Sequence, residues 1–272
     1  MTRTLIIKTC ILLIATAAFF PVHGQNVIED SIMLPPSENQ IIYTEFYPNP
    51  TGKGMMTPTG WGGASPYIFG YIGGTFPQVY TNKSDMIAAA GLSMGNAYKN
   101  VNVTGIFNVL NVSEFNTFSG SLIISRYLGR GTSMSVGGLN LLAGNRSDAG
   151  ASYYVAISHA SQKIKSKIPG YSGLSYTIGA GSGRFYDKSR KDSLAGRGSH
   201  GTAVFGNISY EVTKGLNVIA EWSGLNLGVA FSFRPSFKLP AINFGLADLT
   251  RNSGDRIRFI ASISHAIPLS KN

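Results

Sequence analysis

The chain has one cysteine, Cys10, and little charge: Asp, Glu, Lys and Arg together make up 13% of its 272 residues. Cys10 lies in an N-terminal stretch with the three parts of a secretory leader. Arg3 and Lys8 come first, an apolar run from Cys10 to Phe20 follows, and Val22 and Gly24 occupy the small positions before Gln25. Residues 1–24 are therefore expected to be removed on export. The exported chain then lacks any thiol, which excludes disulfides, thiolate zinc sites and a cysteine nucleophile. No cofactor and no metal site is expected. Beyond the leader no apolar run approaches the ~20 residues that a spanning helix requires, which excludes a helical membrane protein.

Glycine and aromatics are abundant, with 33 Gly, 13 Tyr and 15 Phe. The stretch Gly215 to Pro235 shows how they are used. Leu216, Val218, Ala220 and Trp222 share one face of a period-two pattern, and Asn217, Ile219 and Glu221 share the other. After Ser223-Gly224-Leu225-Asn226, Leu227, Val229, Phe231 and Phe233 alternate with Gly228, Ala230, Ser232 and Arg234, which makes the stretch a β-hairpin. One face is apolar and aromatic, and the other is small or polar.

The same pattern recurs from Pro66 onward. Twelve strands are expected, near 67–76, 86–95, 101–111, 118–128, 132–143, 151–161, 174–185, 202–212, 216–222, 227–234, 241–249 and 257–267. Most have the ~9–11 residues with which a tilted strand crosses a bilayer, and closing the sheet leaves no unpaired edge in lipid. The expected fold is all-β: an antiparallel transmembrane β-barrel of about 12 strands over residues 66–272, placed in a bacterial outer membrane. A soluble secreted β-sandwich binding module is the competing architecture. Residues 25–65 form an irregular segment rich in Pro and Gly, with Pro48-Asn49-Pro50 and Pro58-Thr59-Gly60-Trp61-Gly62-Gly63. It reads either as a loose periplasmic tail, the favoured reading, or as a partial plug in the barrel mouth.

The less apolar strand faces supply pore-lining candidates: Asn207, Asn217, Glu221, Arg234, Asn243 and Arg258. In a narrow barrel such groups either fill the lumen or line a water path. Net charge is +10, and losing Arg3 and Lys8 with the leader leaves +8. Basic balance favours anionic neighbours such as outer-membrane lipid, lipopolysaccharide or anionic polysaccharide over nucleic acid, which an envelope protein seldom meets. Lys188, Arg190, Lys191 and Arg197 in the loop at 186–199 are the candidates for that contact. Partner proteins are unknown.

Catalysis has one opening. His159-Ala160-Ser161 sets a histidine and a hydroxyl two apart on one strand face, as a His/Ser-type outer-membrane lipid hydrolase would need, but no third residue that would orient the histidine is identifiable. The run Gly179-Ala180-Gly181-Ser182-Gly183-Arg184 lies within an alternating strand rather than between a strand and a helix, so it is read as glycines making room for bulky neighbours, not as a phosphate loop.

Several segments together carry a family likeness: GSGRF at 181–185, FGNISYEVTKGLNVIAEWSGLNLGVAFSFRP at 205–235, LPAINFGLADLT at 239–250 and RFIASISHA at 258–266, with Pro58-Thr59-Gly60-Trp61-Gly62 before the first strand. They resemble an uncharacterised family of bacterial outer-membrane β-barrels, and the pattern is similar to the barrel region of YjbH-like proteins associated with exopolysaccharide. That resemblance implies a non-enzymatic barrel, porin-like or a subunit of surface-polysaccharide handling. The chain ends Leu269-Ser270-Lys271-Asn272, without the terminal aromatic common in outer-membrane barrels, and Phe259 in the last strand is the expected substitute.

Overall fold

The computed structural model describes residues 45–112, 115, 117–143 and 150–269. The expected leader and residues 25–44 lie outside the described residues. The chain folds into twelve strands: β1 (Tyr67–Phe76), β2 (Asp85–Gly95), β3 (Asn102–Val109), β4 (Phe118–Gly129), β5 (Thr132–Leu141), β6 (Ser152–Ala160), β7 (Leu174–Gly181), β8 (Val204–Thr213), β9 (Leu216–Trp222), β10 (Leu227–Phe233), β11 (Ala241–Ala247) and β12 (Arg258–Pro268). Each pairs antiparallel with its sequence neighbours, and β12 pairs with β1 from Pro268 opposite Tyr67 to Phe259 opposite Phe76. The sheet is therefore a closed barrel, and the sandwich alternative is overturned. Because the strand number is even, Pro66 and Leu269 sit at one end, called here the terminal end, together with the β2–β3, β4–β5, β6–β7, β8–β9 and β10–β11 connections.

Alternation sets inside from outside. Along β9, Asn217, Ile219 and Glu221 are buried, while Trp222 pairs across to Leu227 on the outer face. Along β8, Phe205, Asn207, Ser209 and Glu211 are buried, and Ile208 and Tyr210 are exposed. Outward residues elsewhere are likewise large, apolar and exposed, among them Phe107, Ile178, Phe244 and Ile263. A water-soluble protein rarely carries an apolar band of that extent, whereas a barrel in a bilayer requires one.

Strand β7 stops earlier than its alternation predicts. The chain leaves the sheet after Gly181, takes a positive φ of 61° at Gly183 and forms a short 3₁₀ turn, Gly183–Phe185. The turn inserts Phe185 into the barrel, where its ring stacks on Phe205 at 4.4 Å between centroids and meets Tyr154 edge-on at 6.3 Å. Gly179 and Gly181 make room for these rings: a Cβ on Gly179 would lie 2.3 Å from Phe205 Cζ, and one on Gly181 2.5 Å from Phe185 Cδ2. Within the following loop a helical turn, α1 (Arg190–Leu194), is closed by reciprocal bonds between Ser189 and Asp192.

Candidate functional site: the barrel lumen

The N-terminal segment occupies the lumen, which corrects the reading of its described part as a loose tail. Glu45 anchors it at the terminal end, accepting from the Tyr127 hydroxyl and, at 2.6 Å, from Gly131 N–H. Phe46 exchanges two bonds with the Gln162 amide, both 2.8 Å. Tyr47 pairs with the β6–β7 loop, donating to Gly170 O and accepting from Ser172 N, and its ring packs edge-on against Tyr98 at 5.3 Å. Deeper in, Asn217 of β9 donates to Asn49 Oδ1 and Thr51 Oγ1.

The segment turns back at Met55–Thr57, and Glu221 holds the bend. Its carboxylate accepts from Met55 N–H at 3.2 Å, from Met56 N–H at 3.0 and 3.1 Å, and from Thr57 N–H at 3.1 Å and hydroxyl at 2.9 Å. Three successive amides converging on one buried carboxylate satisfy a charge that would otherwise be costly inside a barrel. Asn207 adds a bond to Thr57 Oγ1 at 2.9 Å. On the way out Gly60 N–H donates to Ser158 Oγ at 2.7 Å, while Ser133 and Ser135 donate to the carbonyls of Gly60 and Thr59 at 2.6 and 2.8 Å. Gly63 N–H reaches Asn102 at 3.2 Å, and Leu269 N–H then closes onto Pro66 O beside β1.

Beyond the bend the lumen widens into a cavity of about 1200 Å³ at the far end, with Met55 and Met56 as its floor. Arg258 and Arg184 line it. Arg258 is ion-paired with Asp248. Loops around the mouth are tied together at Asp192, which accepts from Tyr80 OH, from Gly254 N–H at 2.7 Å, and from the hydroxyls of Ser253 and Ser189 at 2.8 Å. Burial alone would raise the Asp192 pKa, but these donors outweigh it and hold the carboxyl well below the usual carboxylate range. Asn226 is a second tie, donating to Asp248 at 2.9 Å and accepting from Asn252 N–H at 2.7 Å.

The pore-lining candidates thus divide. Asn207, Asn217 and Glu221 face inward and hold the plug. Asn243 faces inward and donates to Ser262 at 3.2 Å, and Arg258 faces the far cavity. Arg234 does not line the wall: it lies one residue past β10 and holds the β10–β11 turn through Phe237 O at 2.6 Å and Leu239 O at 3.0 Å. Its pKa is lowered, chiefly by burial.

The basic loop candidates divide as well. Arg190 and Lys191 are exposed, and Lys191 lies 5.3 Å over the Tyr80 ring. Lys188 bonds to Arg197 O at 2.6 Å, and Arg197 to Tyr80 OH at 2.8 Å, so both brace the loop. His159 points outward, bonded through Nδ1 to Thr132 at 2.9 Å and packed on Tyr176, while Ser161 Oγ accepts from the N–H groups of Lys163 and Ile164 in the next turn.

Sequence reasoning missed Arg184, Asp192, Asn226 and Asp248. Arg184 was hidden by reading its strand through to Phe185. The others lie in loops, where alternation gives no signal.

No protein-family model and no curated protein sequence matches the chain. Among solved structures it is similar to outer membrane phospholipase A from Escherichia coli, at 8% identity and a TM-score of 0.39, over 78% of this chain and 99% of that one. An N156A active-site mutant of the same enzyme gives 9% and 0.38, over 79% and 93%. At these values neither likeness carries an argument about chemistry.

Proposed function

We propose that this is a non-enzymatic protein of the bacterial outer membrane, a narrow passage held shut by its own N-terminal segment, with the terminal end in the periplasm and the far cavity open to the outside. The observation that carries the reading is the Glu221 clamp, in which one carboxylate holds the Met55–Thr57 bend of a segment threaded inside a closed barrel, beside the bonds from Asn207, Asn217 and the lumen serines. A seal of this kind can be released without unfolding the wall. Following the family resemblance, the substrate class is anionic polysaccharide at the cell surface. A second reading, a silent barrel subunit of a polysaccharide assembly, draws on the many bonds that hold the segment.

Single-channel recording in planar bilayers tests the choice. The wild-type barrel is expected to be closed most of the time. Glu221→Ala, which strips the acceptor from three amides, is expected to raise open probability at least tenfold. If a Glu221→Ala barrel that still shows heat-modifiable migration remains as silent as wild type, the passage reading fails and the assembly subunit stands.

A further inference from the structure

The far cavity is lined by a cation that lies 5.9 Å over the ring of its neighbour Phe185. Arg184 sits on the 3₁₀ turn Gly183–Phe185, and its guanidinium makes no hydrogen bond or ion pair among the described residues. Arg258 is paired with Asp248, Asp192 with Arg197, and Lys188 with a main-chain oxygen, while Lys83 and the Asp187 carboxylate line the same cavity. Glu221 lends Arg184 some of its field, but both its oxygens are taken by plug donors. A guanidinium in that position gains from an anion placed between it and Arg258.

The side chain is also held in place from behind. Arg184 N–H donates to Ser152 Oγ at 3.0 Å, tying the turn to β6, and a Cβ on Gly183 would fall 2.3 Å from that same oxygen. The turn therefore presents Arg184 from a backbone with one seat. The space in front of it, about 1200 Å³, exceeds that of an ordinary small-molecule pocket, and its lining mixes apolar groups such as Ile87 and Val79 with the tyrosines Tyr71 and Tyr80. Aromatic faces beside polar groups suit a sugar ring.

We infer that the far cavity is an anion-binding site in which Arg184 takes the carboxylate or phosphate of a ligand the size of a short acidic oligosaccharide. This deepens the proposed function and rests on it only for which side of the membrane the ligand comes from, since binding is measured in detergent without any current. Calorimetric titration of the full barrel with trigalacturonate, inorganic phosphate and neutral maltotriose separates the sources. Binding of trigalacturonate, weakened at least tenfold by Arg184→Gln and recovered to within about threefold by Arg184→Lys, supports a uronic-acid glycan. Binding of phosphate with the same dependence supports a phosphate-bearing one. The inference is overturned if none of the three binds at millimolar concentration, if maltotriose binds as well as trigalacturonate, or if an Arg184→Gln barrel of normal heat-modifiable migration binds like wild type.

Discussion

Gly60 lies directly against the backbone of the wall, and Gly60→Ala tests how the two are joined. A Cβ there would stand 2.4 Å from Ser133 O and 2.9 Å from Ser158 N, both backbone atoms of paired strands that cannot withdraw. The plug must therefore move away. In doing so it gives up the bonds of Gly60 N–H to Ser158, of Ser133 to Gly60 O and of Ser135 to Thr59 O. Two of the serines keep other partners, Ser133 with Arg126 O at 2.9 Å and Ser158 with Thr177 at 2.6 Å, so the loss falls on the plug's own main-chain groups. At about 1 kcal/mol for each of three neutral bonds, the docked plug loses roughly 3 kcal/mol, on the order of a hundredfold in its docked-to-released ratio. The assay is maleimide labelling of Thr59→Cys from the water phase, in detergent, with and without Gly60→Ala. Labelling should accelerate by one to two orders of magnitude while heat-modifiable migration is unchanged. Labelling within threefold of the parent, or loss of barrel assembly, would refute the reasoning, because either result means that plug and wall are not separable in energy.

Other expectations follow from the two faces of the wall and from the mouth. Val229 lies on the outer face between Ala220 and Leu246, so Val229→Arg is expected to cost about 2–4 kcal/mol at mid-depth and to abolish assembly into vesicles, read as loss of the heat-stable gel band. The Asp192 carboxyl has a depressed folded pKa, so the stability it lends the mouth is fully present above the unfolded value near pH 4 and is lost as pH falls through the lower folded value. Protection of the amides of 189–197 and 253–254, taken relative to their intrinsic exchange rates, should therefore be higher at pH 7 than at pH 3, and Asp192→Asn should lower it at pH 7; protection in the variant that matches wild type at pH 7 would count against the tie.

The barrel was readable because its wall obeys one rule. All twelve expected strands occur, within a few residues at their ends, since an inner face of Ser, Asn and Gly set against an outer face of Ile, Phe and Tyr leaves little freedom in register. Where the chain departs from alternation, the reading failed for identifiable reasons. Phe185 has the inward parity of Ser175, Thr177 and Gly181, yet it reaches the interior from a 3₁₀ turn that leaves the sheet after Gly181, a departure that alternation does not register. Arg234 has inward parity but sits beyond the last ladder pair of β10, Phe233 with Leu216, where parity no longer fixes direction. The plug was the hardest to see because it is bound mostly through backbone groups, which every residue possesses, so Pro48 to Gly63 reads the same as a tail or as a filling.

The imprint of the plug lies in the wall instead. Side chains alone fill a barrel of about eight strands, and a twelve-stranded one leaves a space they cannot close. This wall does not try to close it everywhere. Around the return arm of the plug the inward positions are small hydroxyls, Ser133, Ser135 and Ser158, each within bonding reach of the segment and too short to meet one another across the lumen. To one side of that space the inward positions are Tyr154, Phe205 and the inserted Phe185, which pack on each other without help. Serines lining an interior that they cannot fill leave bonding capacity turned toward the lumen, even where, as at Ser133 and Ser158, they also have a partner in the wall. A run of inward serines on adjacent strands of a wide barrel is thus physical evidence of a backbone threaded between them, and Glu221, an inward carboxylate on β9 that accepts from three successive plug amides, marks where the thread turns.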